Sequence, residues 1–229
     1  MGTSYNPKIV TDGLVLNLDA GNRKSYPTTG TVWTDLTKNK FIGTLTSGPV
    51  YNATNGGNIS FDGVDDYVSI ANGGGLNNST TYSIDIWFKY NSTSQDAGFT
   101  GYGALCGRQK NGSWSANLLY INGADPTTSK LVFSPSVQSV SNIGTGINHC
   151  IITCTTNDIK MYINGSISST STDATTVRND STTPLTIGAW IGDGASYSNS
   201  YIYNFKTYNR VLSSSEVLQN YNATKGRFR

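Results

Sequence analysis

Apolar side chains that recur at every second position are the feature that most constrains the fold of this chain. In TYSIDIWFKY (81–90), every even position is Tyr, Ile or Phe, and Trp87 stands among the odd positions. The same alternation recurs in LVLNLDA (14–20) and SYIYNFKTYN (200–209). A period of two is that of a β-strand with one buried face. We therefore predict an all-β domain with at least eight strands.

The segment YINGSIS supplies the clearest turn signal. Asn164 and Gly165 stand between two apolar runs, and a type I′ hairpin turn needs positive φ at both of its central residues. No internal repeat and no linker-like boundary interrupts the pattern, so we expect one domain over residues 12–225. Residues 1–11 would form an N-terminal arm and residues 226–229 a basic C-terminal tail.

One helix is predicted near the end of the chain. Ser213 followed by Glu216 has the spacing of a capping box, in which each residue binds a backbone N–H of the other. The apolar face of this helix would consist of Val217, Leu218 and Tyr221. Because Glu216 is the chain's single Glu, the helix cap uses the one residue that a two-carboxylate enzyme would most need.

The chain is weakly charged. Charged residues make up 13% of the sequence and the net charge is +2, whereas an ordinary domain has about 25% charged residues. Such a surface lacks the dense basic face that binding to nucleic acid requires. The one basic cluster is Lys225, Arg227 and Arg229, which we interpret as a solvated tail or as a contact with a neighbouring subunit.

No targeting or membrane segment is predicted. The opening MGTSYNPKIVTDG has no apolar core of a signal peptide. No apolar run approaches the roughly 20 residues that span a bilayer. We therefore expect a protein made in the cytoplasm, without a membrane partner.

Three cysteines, Cys106, Cys150 and Cys154, make an odd count, which argues against a disulfide framework. Cys150 and Cys154 would lie about 13 Å apart along a strand, too far for a bridge. We expect them to be small buried apolar residues. His149 is the single His, so we expect a structural role for it and no zinc site.

No catalytic constellation is found. A glycosidase generally needs two carboxylates that face each other across a cleft. The strand SIDIWFK, with Asp85, superficially resembles the strand on which bacterial laminarinases carry their catalytic Glu and Asp, but no Glu accompanies Asp85 here. Phosphate loops, CxxC and HExxH are absent as well. We therefore predict no catalytic residues and a protein that is not an enzyme.

The segment GGNISFDGVDDYVSI (56–70) brings Asp62, Asp65 and Asp66 together between two apolar runs. Asp side chains cap the amides of turns, which favours a structural role. Clustered carboxylates also suit calcium, which prefers oxygen ligands, and contact with another ligand is the third interpretation. The residues alone leave these three interpretations open.

Four blocks in the same order resemble a known family. GGNISFDGVDDYVSI is similar to the FDGxDDYV signature of laminin-G-like, concanavalin-A-like jelly-roll domains. INHCIITCTTNDIKMYINGS (147–166), PLTIGAW (184–190) and SYIYNFKTYNRVLSSSEVLQNYNATKGRF resemble later strands and the closing helix of these domains. The resemblance implies a two-sheet antiparallel jelly-roll sandwich with one short C-terminal helix. It also implies binding of carbohydrate or protein, and seldom catalysis.

The chain departs from the family where the closing strand usually reads Ile-Asp-Glu. Here the residues are Ile202, Tyr203 and Asn204. The lost acidic residue weakens the case for calcium, so we favour the turn-building role for the three aspartates. We expect no cofactor, with Asp62, Asp65 and Asp66 as the candidate ligands if calcium binds.

Two longer phrases, IVTDGLVLNLDAGNRKSYPTTGTVWTDLT and YNRVLSSSEVLQNYNATKGRF, resemble laminin-G-like proteins of tailed-bacteriophage virions. This resemblance implies a location in the virion and a role as a capsid decoration protein. Its partners would be the major capsid protein or other virion proteins, and a homo-oligomer is a further expectation. The alternatives are a tail or fibre component that recognises host glycans and a cellular carbohydrate-binding module.

A Gly-rich stretch, residues 93–114, contains the aromatic residues that we expect to meet a partner. Aromatic rings stack on sugars and anchor protein interfaces alike. We predict that Phe99 and Tyr102 are displayed on the surface for this purpose.

Overall fold

The computed structural model describes residues 7–76, 80–92, 101–110, 113–123, 125–133, 137–172, 183–191 and 195–228. Within these ranges the chain forms strands β1 to β18, one helix α1 and two short 3-10 turns. The helix is too short to cross a membrane, and the described residues contain no other candidate span. The predicted all-β class with one C-terminal helix is confirmed.

Eight antiparallel strands, numbered along the chain, form the first sheet. They are β1 (Leu14–Asp19), β4 (Val50–Asn52), β5 (Asn58–Asp62), β7 (Tyr82–Ser92), β12 (Asn148–Cys154), β13 (Ile159–Ile163), β14 (Ser166–Ser171) and β18 (Asn199–Tyr208). Their order across the sheet is β14-β13-β12-β7-β18-β5-β4. Strand β1 pairs with the second half of β18, beyond the part that pairs with β5.

The second sheet also has eight antiparallel strands. They are β2 (Val32–Thr34), β3 (Ile42–Thr46), β6 (Tyr67–Ile70), β8 (Tyr102–Lys110), β9 (Ser113–Asn122), β10 (Lys130–Phe133), β11 (Val137–Gln138) and β15 (Leu185–Ile187). Their order is β11-β10-β9-β8-β15-β6-β3-β2. A separate hairpin of β16 (Ala189–Ile191) and β17 (Ala195–Tyr197) lies beside β8.

The main core lies between the two sheets. Ile84 and Ile86 of the first sheet and Leu119 and Ile121 of the second belong to it, and all four are fully buried. The even positions of β7 face this core, as the alternation predicts, and Trp87 packs in a different cluster. Burial of each such side chain contributes roughly 1.5–3 kcal/mol to the free energy of folding. The alternating apolar residues therefore hold the two sheets together.

The predicted hairpin turn is confirmed between β13 and β14. Asn164 has φ of 51° and Gly165 has φ of 82°, as a type I′ turn requires. A Cβ on Gly165 would lie 2.9 Å from Cδ1 of Tyr221. The turn therefore packs directly against the helix.

The helix α1 spans Ser214–Thr224, and its predicted capping box is confirmed. Ser213 Oγ accepts a hydrogen bond from Glu216 N at 3.3 Å, and Ser213 N donates to Glu216 Oε2 at 2.9 Å. The predicted apolar face is partly wrong, because Leu218 is 46% exposed while Asn220 is 1% exposed. The buried position is polar since the Asn220 amide binds groups on the outer face of the first sheet.

Both ends of the described chain pack on this outer face. Val10, in the predicted arm, is buried in a cluster with Ile151 and Val217. Phe228, in the predicted tail, is buried against Trp87 and Tyr203. The central strands of the first sheet are therefore covered on both faces, by the second sheet on one and by α1 and the chain ends on the other.

Candidate functional site

Tyr102 begins β8 and lies on the outer face of the second sheet. A Cβ on its neighbour Gly103 would lie 3.0 Å from the ring of the core residue Tyr90, so Gly103 faces inward and Tyr102 faces outward. Tyr120 lies next to Tyr102, and the centroids of the two rings are 5.6 Å apart in an edge-on arrangement. Tyr102 is 38% exposed. It presents an aromatic ring that a neighbouring ring holds in place.

The face around this pair carries both an amide and a cation, since Lys130 pairs with Asn122 in the strand register. Tyr102 lies opposite Asn122 in the strand register, and Ser196 Oγ donates to the Tyr102 carbonyl at 3.3 Å. Burial raises the pKa of Tyr120, so its hydroxyl stays protonated. An aromatic ring beside an amide and hydroxyls can stack on a sugar and bind its hydroxyl groups. Phe99, the other aromatic residue predicted to contact a binding partner, lies outside the described residues.

The basic C-terminal residues have different surroundings. The Arg227 guanidinium forms a two-pronged ion pair with Asp19, with Nη1 2.6 Å from Oδ2, and its Nη2 donates to the Gly56 carbonyl at 3.0 Å. Lys225 is exposed, and its ammonium lies 5.2 Å from the centroid of the Tyr221 ring. Arg229 lies outside the described residues. The Arg227 charge thus has an intramolecular partner, and the predicted role of these cations in binding stays a prediction.

The acidic turn between β5 and β6, residues 62–66, is stabilised by hydrogen bonds from its own backbone to its carboxylates. Asp62 Oδ1 accepts from Val64 N at 2.8 Å, and Asp66 Oδ2 accepts from Asp62 N at 3.1 Å. These bonds stabilise the turn, which is the structural role that the sequence favours for the aspartates. One carboxylate oxygen from each of Asp62, Asp65 and Asp66 lies within 4.8 Å of the other two. Burial raises the pKa of Asp66 to about 6, and the charges of its two neighbours add to the effect.

A buried polar network lies under the helix on the outer face of the first sheet. Asp85 Oδ1 accepts from His149 Nε2 at 3.1 Å and from Lys206 Nζ at 3.2 Å. Asp85 Oδ2 accepts from Asn220 Nδ2 at 2.9 Å. Burial opposes ionisation of Asp85, but Lys206 and His149 outweigh it and hold the pKa of this carboxyl well below its usual range. Asp85 is thus an ionised group without access to solvent.

Aromatic rings enclose this network. The His149 ring stacks on Trp87 with centroids 4.6 Å apart, and Trp87 stacks on Tyr221 of the helix at 5.8 Å. The predicted structural role of His149 is confirmed. Sequence reasoning considered Asp85 and His149 separately and missed Lys206, because the three residues belong to different strands. The available signal in the sequence is that all three are polar residues at outward-facing positions of strands whose inward-facing positions are mostly apolar.

The remaining described carboxylates are committed to structural bonds. Arg210 binds Glu216 through Nη2 at 2.6 Å and lowers the pKa of this carboxyl to about 2. Partners of the other described carboxylates outside the acidic turn are Arg210 for Asp12, Arg227 for Asp19, backbone amides for Asp35 and Asp125, and Lys160 for Asp158. Each described carboxylate outside that turn therefore has at least one hydrogen-bonding or ionic partner.

The three thiols are free and buried, as predicted. Burial raises the pKa of Cys106 to about 12 and that of Cys154 to about 11. A thiol that stays protonated at neutral pH is a poor nucleophile. These cysteines act as buried core residues.

Two packed eight-stranded antiparallel sheets define a β-sandwich. The laminin-G model for the concanavalin A-like lectin/glucanases superfamily matches residues 62–218, well over half of the chain. The chain belongs to this family, and the predicted jelly-roll sandwich is confirmed. A search of the curated proteins gives no match.

Solved structures share the fold at low identity. A Trypanosoma rangeli sialidase in complex with sialic acid is 19% identical with a TM-score of 0.67, and the match covers 98% of this chain and 36% of the sialidase. A binding domain of botulinum neurotoxin DC in complex with SialylT is 14% identical with a TM-score of 0.64, over 93% and 52% of the two chains. This chain therefore spans about a third to a half of these proteins.

A third similar structure matches over nearly its whole length. It is domain 4 of an extracellular arabinanase of Geobacillus stearothermophilus in complex with arabinotriose. It is 18% identical with a TM-score of 0.60, and the match covers 90% of this chain and 97% of that domain. At this level of identity, the likeness concerns the fold.

Proposed function

We propose that this chain is a non-enzymatic, lectin-like domain that binds a glycan through the outer face of its second sheet. The observation that carries this proposal is the exposed Tyr102 ring, held edge-on to Tyr120 at 5.6 Å with the Asn122 amide opposite it in the strand register. Membership of the lectin/glucanase superfamily supports it. So does the arabinotriose complex of the arabinanase domain, which has the same fold over nearly its whole length.

The absence of catalysis is part of the proposal. A glycosidase needs an acid and a second carboxylate that approach the substrate from two sides. Outside the acidic turn, the described carboxylates are bound to cations or backbone amides, and Asp85 is fully buried. In the acidic turn, Asp62 and Asp66 bind the amides of their own loop. These bonds give Asp62 and Asp66 a role in the fold, and Asp65 is exposed beside them.

The test combines binding and sugar release on the same polysaccharides. We expect wild-type protein to be retained by at least one immobilised polysaccharide while reducing-end assays stay at background. Tyr102→Ser should lose retention. Turnover that Asp66→Asn abolishes would contradict the proposal, because it would assign an acid role to the acidic turn.

We propose further that the domain acts on the surface of a bacteriophage virion, as a capsid decoration protein. The low charge and the three buried free thiols are consistent with assembly in a reducing cytoplasm. A tail or fibre component that recognises host glycans is the second candidate, and the exposed Tyr102 favours it. Co-sedimentation with purified capsids would support decoration, and adsorption to host cells alone would support the second candidate.

A further inference from the structure

A groove of about 540 Å³ lies at one edge of the sandwich. Strand β14 is the outermost strand of the first sheet there, and β11 is the outermost strand of the second. The groove opens between the segment that follows β11 and the β13–β14 hairpin. All its lining residues lie in the described ranges: Ser139, Val140, Ser141, Asn142, Ile143, Asn148, Ile163, Asn164, Ser166, Ile167 and Ser168.

Hydrogen bonds hold the walls of this groove in place. Val140 N donates to Ser168 Oγ at 3.1 Å, which ties the segment after β11 to β14. Ser139 Oγ accepts from Leu131 N at 3.0 Å and donates to the Ser141 carbonyl at 2.8 Å. At the floor, the buried Asn148 donates to the Ile143 carbonyl at 2.9 Å. The groove is therefore formed before any ligand arrives, which lowers the entropic cost of binding.

The lining residues are all uncharged. Serine hydroxyls and asparagine amides both donate and accept hydrogen bonds, as sugar hydroxyls do. Val140 and Ile167 at the rim are 69% and 56% exposed, and aliphatic groups of this kind can cover the C–H faces of a sugar ring. Lys130 Nζ donates to the Val140 carbonyl at the rim, so this ammonium already has a partner, and the lining itself provides no cation for a phosphate or carboxylate ligand. The volume is within the usual range for small-ligand pockets, roughly 300–1,000 Å³.

We propose that this groove binds a short neutral saccharide. A peptide strand added to the edge of β14 is the competing occupant, but the bond between Val140 N and Ser168 Oγ already places a chain segment beside that edge. The inference rests on the proposed function and deepens it, since it adds a saccharide site three strands away from Tyr102 in the second sheet. Two separated sites would let one domain contact two parts of a polysaccharide.

The experiment is an amide NMR titration of the full chain with three neutral trisaccharides: maltotriose, cellotriose and arabinotriose. We expect at least one of them to shift the amide signals of Ser141, Asn142 and Ser168. Ser166→Trp should fill the groove and weaken this binding at least tenfold. The matched control is Thr170→Trp, on the same exposed strand but outside the lining, and it should bind as wild type.

The outcomes separate this inference from the proposed function. Shifts around Tyr102 without shifts in the groove would overturn the groove site and leave the proposed function standing. Groove shifts that persist in Tyr102→Ser would support two independent sites. Absence of any shift would count against both. Groove shifts caused by an extended peptide of alternating Thr and Val, but by no trisaccharide, would overturn the saccharide in favour of a peptide.

Discussion

At the scale of single residues, Asp85 shows that this domain buries charge as well as apolar surface. Its carboxylate has three partners, Lys206, His149 and Asn220, and all four residues are at most 2% exposed. Loss of one member of a buried ion pair leaves the other charge without compensation, which typically costs about 3–5 kcal/mol.

Replacement of Asp85 tests this arrangement. We expect Asp85→Asn to lower the free energy of unfolding by about 3–5 kcal/mol, because the Lys206 ammonium would stay buried without its counterion. Asp158→Asn is the matched control, since it breaks an exposed Asp–Lys pair and should cost less than about 1 kcal/mol. Urea denaturation measures both. Equal losses would show that the Asp85 network does not stabilise the fold as described.

Asp66 gives a prediction about pH. Burial raises the pKa of its carboxyl from 3.8 to about 6, so the protonated form favours the folded state. This contribution is complete below the unfolded pKa and is lost as pH rises through about 6. We expect the thermal midpoint of wild-type protein to fall relative to that of Asp66→Asn between about pH 5 and pH 7.5. Parallel curves over this range would contradict the assigned pKa shift.

At the scale of elements, the helix α1 covers the buried network and its cap sets where it begins. Ser213→Ala removes the acceptor for Glu216 N and should cost about 1 kcal/mol. Ser214→Ala is the control, because Ser214 is the first helical residue, next to the cap, and is exposed. Urea denaturation should separate the two variants. The same loss in both would indicate that helix propensity, not the cap, determines the effect.

The acidic turn is the element where calcium would bind. Its carboxylates Asp62 and Asp66 already accept backbone amides of the turn, so the turn has internal support without an ion. We expect excess chelator to leave the thermal midpoint unchanged at neutral pH. A loss of many degrees that added calcium reverses would show that the turn is a structural metal site.

The elements that could be predicted from sequence are those defined by local signals. The alternation in β7, the Asn164–Gly165 turn and the Ser213 capping box depend on residues a few positions apart. The Asp85 network could not be predicted as a unit, because its members are 64 and 121 residues apart and meet only through strand register. The burial of Asn220 could not be predicted for the same reason, because this residue is buried by its hydrogen bond to Asp85 and not by the apolar pattern of the helix.

At the scale of the whole molecule, the two sheets have different roles. The central strands of the first are covered on both faces, by the core and by α1 with Val10 and Phe228. The second exposes Tyr102 on its outer face and borders the groove at its edge. The sequence indicated Tyr102 because aromatic residues in a Gly-rich stretch are conspicuous. It did not indicate the groove, because ordinary Ser and Asn residues from separate segments form its walls.

The most direct test of the central proposal is glycan binding by wild-type protein and Tyr102→Ser at two salt concentrations. Tyr201→Ser, which removes a partly buried tyrosine from the first sheet, controls for general effects on stability. We expect wild type and Tyr201→Ser to bind the same neutral glycan at low salt and at about 0.5 M salt, because screening weakens charge contacts and spares apolar ones. Tyr102→Ser should bind at least about tenfold more weakly, a loss of about 1.4 kcal/mol. Binding that survives in Tyr102→Ser and is released by salt would contradict the proposal and assign the contact to charged groups such as Lys225.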